Sequence, residues 1–188
     1  MARASTRADS MSTSALVILV DAPATEVSLA MTRNLSSGKY IDPISHDGVH
    51  DSLTHLAAPG YFYEHLYREI AKSDRDGLPI TIMRVILRRS DGHENPSDYE
   101  IALINLAKAL TKVVRASDVV ARVGRFEFYS LLNIESNMVE AFAHRISETF
   151  HSKELNKEYI VQTSSVTRLP GEKPIELMVR LDFTESNY

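Results

Sequence analysis

Apolar residues recur every four positions as Phe62, Leu66 and Ile70 over 61–73, a spacing that puts them on one face of a helix. Pro59-Gly60 breaks the chain ahead of this segment and Gly77 follows it as a C-terminal stop. Over 79–88 the pattern changes to a dense run of Ile, Met, Val and Leu, which predicts a central strand, and the polar stretch 90–96 reads as a loop. Ser97 with Glu100 three residues on forms a capping box, and Ile101, Ile104, Ala107 and Leu110 are expected down the buried face of the helix that follows. Two β runs, 119–123 and 126–132, are separated only by Gly124-Arg125. That predicts a hairpin with a type II′ turn, in which Gly takes the positive φ of the first central position. Met138, Phe142, Ile146 and Phe150 mark an amphipathic helix over 137–150, and 158–166 reads as a further strand. Pro170-Gly171 then turns the chain into a short last segment, 175–181. Helices and strands alternating without an internal repeat predict an α/β or α+β arrangement of helices on a sheet.

The chain ahead of this body reads as one βα unit, a buried strand at 15–20 and a short helix at 24–35, ending at Ser36-Ser37-Gly38. Residues 1–14, rich in Ser, Thr, Ala and Arg, are expected to form a poorly ordered leader, with Met11 as an internal start. The expected organisation is therefore leader 1–14, βα extension and linker 15–48, and main domain 49–188. Asp21 stops the apolar run at 15–20, well short of the ~20 residues of a spanning helix or the ~7–15 of a signal segment, so no membrane insertion is expected. Ser37-Gly38-Lys39 lacks the first Gly of a P-loop, and Tyr40 stands where a P-loop has Ser or Thr.

Composition changes this picture little. With 188 residues, 44% hydrophobic and 24% charged, the chain suits one ordinary core with a short appendage. A net charge of −4, from 21 Lys+Arg against 25 Asp+Glu, gives no general pull toward nucleic acid, so a phosphate-bearing ligand must be held by a few local basic groups. The lack of cysteine excludes disulfides, thiolate metal sites and Cys nucleophiles, and fits a cytoplasmic setting. His46, His50 and His55 cluster with Asp47 and Asp51, but the spacing matches no defined metal site.

Several residues, in order and spacing, resemble the GGDEF domain of bacterial diguanylate cyclases. Asp51-Ser-Leu-Thr-His-Leu56 is similar to that family's Asp-x-Leu-Thr-Gly-Leu. Arg115-Ala-Ser-Asp118 followed by Arg122-Val-Gly124-Arg125-Phe126-Glu127-Phe128 is similar to its Arg-x-x-Asp and Arg-x-Gly-Gly-Asp/Glu-Glu-Phe. The segment 61–75 resembles the helix before its Arg-Asp-Gly, and Ala143-His-Arg145-Ile146 resembles its Glu-Arg-Ile. The resemblance runs from about Asp51 to the end of the chain. It implies a bacterial, cytoplasmic domain with a central mixed sheet flanked by helices, as in nucleotide-cyclase palm domains.

In active members of that family two GTP molecules meet in a dimer, and carboxylates hold divalent metal. Here the carboxylate ahead of Glu-Phe is Phe126, and the second signature glycine is Arg125. The metal-binding Asp of the central strand aligns without gaps to Met83, and the guanine-reading Asn to Asp91. Glu127 and Glu100 keep acidic character, yet neither replaces a metal pair, because Met and Phe offer a hard cation no oxygen. The implied protein is no cyclase, and no metal is expected. Arg115 and Asp118 retain the position of the family's inhibitory site for cyclic di-GMP. Arg offers a planar donor fork to phosphate or the guanine O6/N7 edge, while the Asp carboxylate accepts from N1–H and N2–H.

The same two residues also suit a helix C-terminus and a turn with no ligand. Arg122 reads as a second ligand contact or a solvated strand residue, and Arg145 as a contact from a neighbouring helix or a surface charge. Arg125 either blocks a nucleotide or holds a phosphate, blocking being the simpler case. Phe126 and Phe128 flank Glu127 and are expected to share a core face, and Glu100 is explained by the capping box alone. The expected function is an inactive receptor for cyclic di-GMP that relays it to a protein partner or to homodimerisation. A protein-interaction module without nucleotide is the alternative. A weak enzyme or GTP binder using Glu100 and Glu127 ranks last.

Overall fold

The computed structural model describes residues 44–92 and 96–184, apart from the side chains of 96–98. The leader and the βα extension up to residue 43, together with the Ser97 side chain of the expected capping box, lie outside the described residues.

Helix α1, Pro59–Asp76, starts where Pro59 has no N–H to leave unpaired and buries Phe62, Tyr63, Leu66 and Ile70 along one stripe. It ends on Gly77, whose φ of 68° lets its N–H reach the Ser73 carbonyl at 2.8 Å. Strand β1, Thr81–Arg89, sends Met83, Val85 and Leu87 to one side of the sheet and Ile82 to the other. Helix α2, Pro96–Val113, comes next, then strands β2, Val119–Arg122, and β3, Glu127–Leu132. A short 3-10 turn leads into helix α3, Val139–His151, followed by strand β4, Tyr159–Thr167, and helix α4, Pro174–Asp182. The last segment, read only as a short tail in the sequence, is therefore a helix, with Leu177, Met178 and Leu181 buried.

The four strands lie in the order β2-β3-β1-β4, all antiparallel, with Val85 between Phe128 and Thr163. The mixed character expected of the sheet is confined, among the described residues, to one parallel bridge between Ala57 and Ala121. Side chains of α2 and α3 pack with Met83, Val85, Leu87 and Phe128 on one face. Those of α1 and α4 pack with Ile82, Tyr129, Leu131 and Val166 on the other. Two helical layers thus enclose the sheet.

Two local expectations are corrected. The buried stripe of α2 runs through Tyr99, Ala102, Leu103, Leu106, Ala107, Leu110 and Val113, so Ala107 and Leu110 are buried as expected, whereas Ile104 is only partly buried and Ile101 is 66% exposed. A series taken every three residues drifts around a helix of 3.6 per turn, and the leucine-rich stripe wins the sheet-facing side. At the hairpin, Gly124 has no positive φ. The turn spans 124–127, closed by Glu127 N–H to the Gly124 carbonyl at 3.4 Å, with Arg125 and Phe126 central. What restricts Gly124 is space, since a Cβ there would sit 3.2 Å from Glu127 Cβ. No helix among the described residues is long and apolar enough to cross a membrane.

Candidate functional site

Between α2 and β2 the chain makes a tight turn that joins Arg115 to Asp118 twice. The Asp118 N–H donates to the Arg115 carbonyl at 3.0 Å, and Asp118 Oδ2 accepts the Arg115 N–H at 2.8 Å. An aspartate is suited to this place because its short carboxylate reaches a backbone donor just past a helix end. The same geometry leaves chemistry to spare. The Arg115 side chain is exposed, with no hydrogen bond or ion pair from its guanidinium among the described residues, and Asp118 Oδ1 likewise accepts none.

Both residues line a groove of about 670 Å³. Its other walls come from the loop ahead of α1, with Val49, His50 and His55, and from Tyr61, His65 and Glu69 of α1 itself. The loop is shaped by its own acids. Asp47 Oδ1 accepts the N–H groups of Val49 at 2.8 Å and His50 at 2.6 Å, and these donors hold its carboxyl below the usual range. The loop is tied to β2 by Ala57 N–H to the Val120 carbonyl and Arg122 N–H to the Ala57 carbonyl, both 3.1 Å. His55 has φ 58°, the only non-glycine in the left-handed region among the described residues.

Arg122 does not join Arg115 and Asp118. It is buried, with Nη1 3.3 Å from both Asp51 oxygens and Nη2 donating to the Arg125 carbonyl at 2.7 Å. Buried rather than solvated, it fastens the hairpin to the loop. Asp51 in turn accepts from the Thr54 N–H and hydroxyl at 2.7 and 2.6 Å. Arg145 is exposed on α3 and is not among the residues lining the groove.

The signature segment points elsewhere. Phe126 and Phe128 both pack on the α2/α3 side, Phe126 against Tyr99 with ring centroids 4.1 Å apart, as the alternation predicts. Arg125 is half-buried in the turn. Glu127 belongs to the opposite face, with Arg84, Tyr129, Tyr63 and Asp182. Met83 is fully buried on the α2/α3 face, so the ungapped alignment places it across the sheet from Glu127. Arg84 Nε donates to Ser164 Oγ at 3.0 Å and Nη2 to the Thr184 carbonyl at 3.2 Å, while Nη1 lies 3.8 Å from Asp182. Burial raises the Glu127 carboxyl against the pull of Arg84, the Tyr129 hydroxyl and Arg88. Burial, opposed by Arg84 and aided by the Glu127 charge, lifts Asp182 to about 6. Asp91 is held by Arg89, Nη2 to Oδ2 at 2.7 Å, and Glu100 is exposed on α2.

A family model for the diguanylate cyclase GGDEF domain matches residues 48–168. The chain belongs to the GGDEF domain family. Solved structures agree on the fold. The GGDEF domain of DgcB from Caulobacter crescentus, in complex with c-di-GMP, matches with a TM-score of 0.63 and 21% identity over 74% of this chain and 89% of that one. A microbial GGDEF domain solved for its mode of interaction with cyclic di-GMP gives 0.58 and 16% over 71% and 85%. The diguanylate cyclase SiaD from Pseudomonas aeruginosa, in complex with its activator SiaC, gives 0.59 and 20%, over 84% of this chain and 59% of SiaD. No curated protein matches by sequence.

Within this GGDEF domain, His55 stands where the family pattern has glycine. His55→Gly is expected to stabilise the fold by about 0.5 kcal/mol, since left-handed strain of roughly 1–2 kcal/mol is relieved against roughly 0.5–1 of added chain entropy. Urea unfolding of the two proteins reads the difference. The sequence does not show the groove's histidines and Tyr61 as neighbours of Arg115. Only the Gly-to-His exchange in the Asp-x-Leu-Thr-Gly-Leu pattern offered a signal.

Proposed function

We propose that this GGDEF domain makes no cyclic di-GMP and instead binds it through Arg115 and Asp118, passing the signal to a protein partner or a second copy. The observation that carries this reading is the Arg115–Asp118 turn, folded by its backbone and one carboxylate oxygen, with a guanidinium and the other oxygen left open to a groove of about 670 Å³. That volume lies within the range of small-molecule sites. Arg supplies donors for phosphate or guanine O6/N7 and Asp acceptors for guanine N1–H and N2–H, which together complement a guanine dinucleotide. The c-di-GMP bound to the DgcB domain shows that this fold can hold the ligand in another member, and the SiaD–SiaC complex lends support to a protein partner.

The loss of cyclase activity rests on the donor set. A divalent cation prefers several hard oxygens. Phe126, packed on Tyr99, and Met83 both lie in the α2/α3 layer, while the carboxylates Glu127 and Asp182, across the sheet, face the guanidinium of Arg84. These residues do not fit a metal, because Met83 and Phe126 offer a hard cation no oxygen, and the carboxylates across the sheet already face a fixed guanidinium.

The test pairs an activity assay with a titration. The full chain incubated with GTP and magnesium is expected to yield no cyclic di-GMP on chromatography, and calorimetry is expected to record binding of added cyclic di-GMP. Product formed from GTP would sink the inactive reading, whatever the titration gives.

A further inference from the structure

The Arg115–Asp118 turn makes only one side of its groove. Along α1, Tyr61, His65 and Glu69 form a column spaced four residues apart that lines the same groove. It runs one position ahead of the core stripe Phe62, Leu66 and Ile70. The rings of Tyr61 and His65 lie with centroids 4.4 Å apart and planes inclined at 36°. Both are half-buried, and neither makes a hydrogen bond or ion pair among the described residues. A ring pair held by helix spacing, at the edge of a groove and outside the buried core clusters, presents aromatic faces to that groove. Base rings stack on such surfaces irrespective of base identity, while hydrogen bonds at the edge select the base.

We propose that Tyr61 and His65 form a stacking wall for a purine base of the ligand whose edge Arg115 and Asp118 read. This rests on the reading of the groove as a cyclic di-GMP site and adds what that reading lacks, an apolar contact within a single domain. The two sides divide the work: the turn selects guanine, and the ring pair supplies sequence-tolerant affinity. The helix fixes the wall in advance, so binding need order few side chains there.

Calorimetry on the full chain with cyclic di-GMP tests the wall, using Tyr61→Phe and the double variant Tyr61→Ser/His65→Ser, with urea unfolding confirming that each folds. Tyr61→Phe keeps the ring and is expected to bind within about twofold of wild type, whereas the double variant weakens by about tenfold or more. NMR cross-peaks between guanine H8 and the Tyr61 ring are expected in the wild-type complex. Wild-type affinity in the folded double variant, with binding still lost in Arg115→Ala, would overturn the wall and leave the receptor reading standing. A wild-type chain that binds no cyclic di-GMP would overturn both.

Discussion

Asp51→Ala is expected to lower the unfolding free energy by about 3–5 kcal/mol, because it strands a buried guanidinium. The Arg122 side chain is 9% exposed and that of Asp51 1%, and Arg122 Nε already has no partner. Removing the carboxylate leaves Nη1 without a partner in the same place, and takes away the acceptor that folds Thr54 onto the loop. Replacing Arg122 by Met in the Asp51→Ala background is expected to recover part of the loss, since no charge then remains buried. Urea unfolding of the four proteins reads both effects, and a cost below about 1 kcal/mol for Asp51→Ala would place the pair with ordinary surface ion pairs. Because the loop carries Val49, His50 and His55 into the groove, loosening it should also weaken binding.

Arg84→Ala is the second large effect, on the order of 3 kcal/mol at pH 8, and its pH dependence identifies the cause. In wild type the Asp182 carboxyl is raised from 3.8 to about 6. A raised acid binds its proton more readily in the folded state than in the unfolded one, so its contribution is fully present below about pH 3.8 and is lost as pH climbs through about 6. Glu127 is shifted in the same direction. Without Arg84 both carboxyls rise further, and the penalty of ionising them falls on the folded state alone. The variant should therefore be penalised most at pH 8 and much less near pH 5, where the lost hydrogen bonds to Ser164 and Thr184 remain the main cost. Thermal melts across this range check it. An equal penalty at both ends would mean that Arg84 acts through packing rather than charge.

The elements were legible because their signals are local. The stripe of Phe62, Leu66 and Ile70, the Gly77 stop and the alternation of Phe126, Glu127 and Phe128 each depend on neighbours within a few residues, and each holds in the structure. The α2 face was misread because two apolar stripes compete on one helix, and only the sheet decides between them. Arg115 and Asp118 were legible as a spaced pair. Arg122 was not, because its partner Asp51 is 71 residues away and no periodicity links the two. Separation in sequence also hid the groove: Tyr61 and His65 sit on a helix far in sequence from the turn they adjoin. The Arg84 cluster was hidden by register, since an ungapped alignment does not tell which face of β1 meets Glu127.

The most direct measurement is calorimetric titration of the full chain with cyclic di-GMP in the presence of excess GTP, beside Arg115→Ala and Asp118→Asn. The asparagine keeps an acceptor for the Arg115 N–H that Asp118 Oδ2 now bonds, so the turn survives while the charge facing guanine is removed. Micromolar or tighter binding in wild type, indifferent to GTP and lost in both folded variants, is the result predicted. Binding that survives both substitutions, or no heat from the folded wild type, would contradict the account and favour a module that meets proteins without nucleotide.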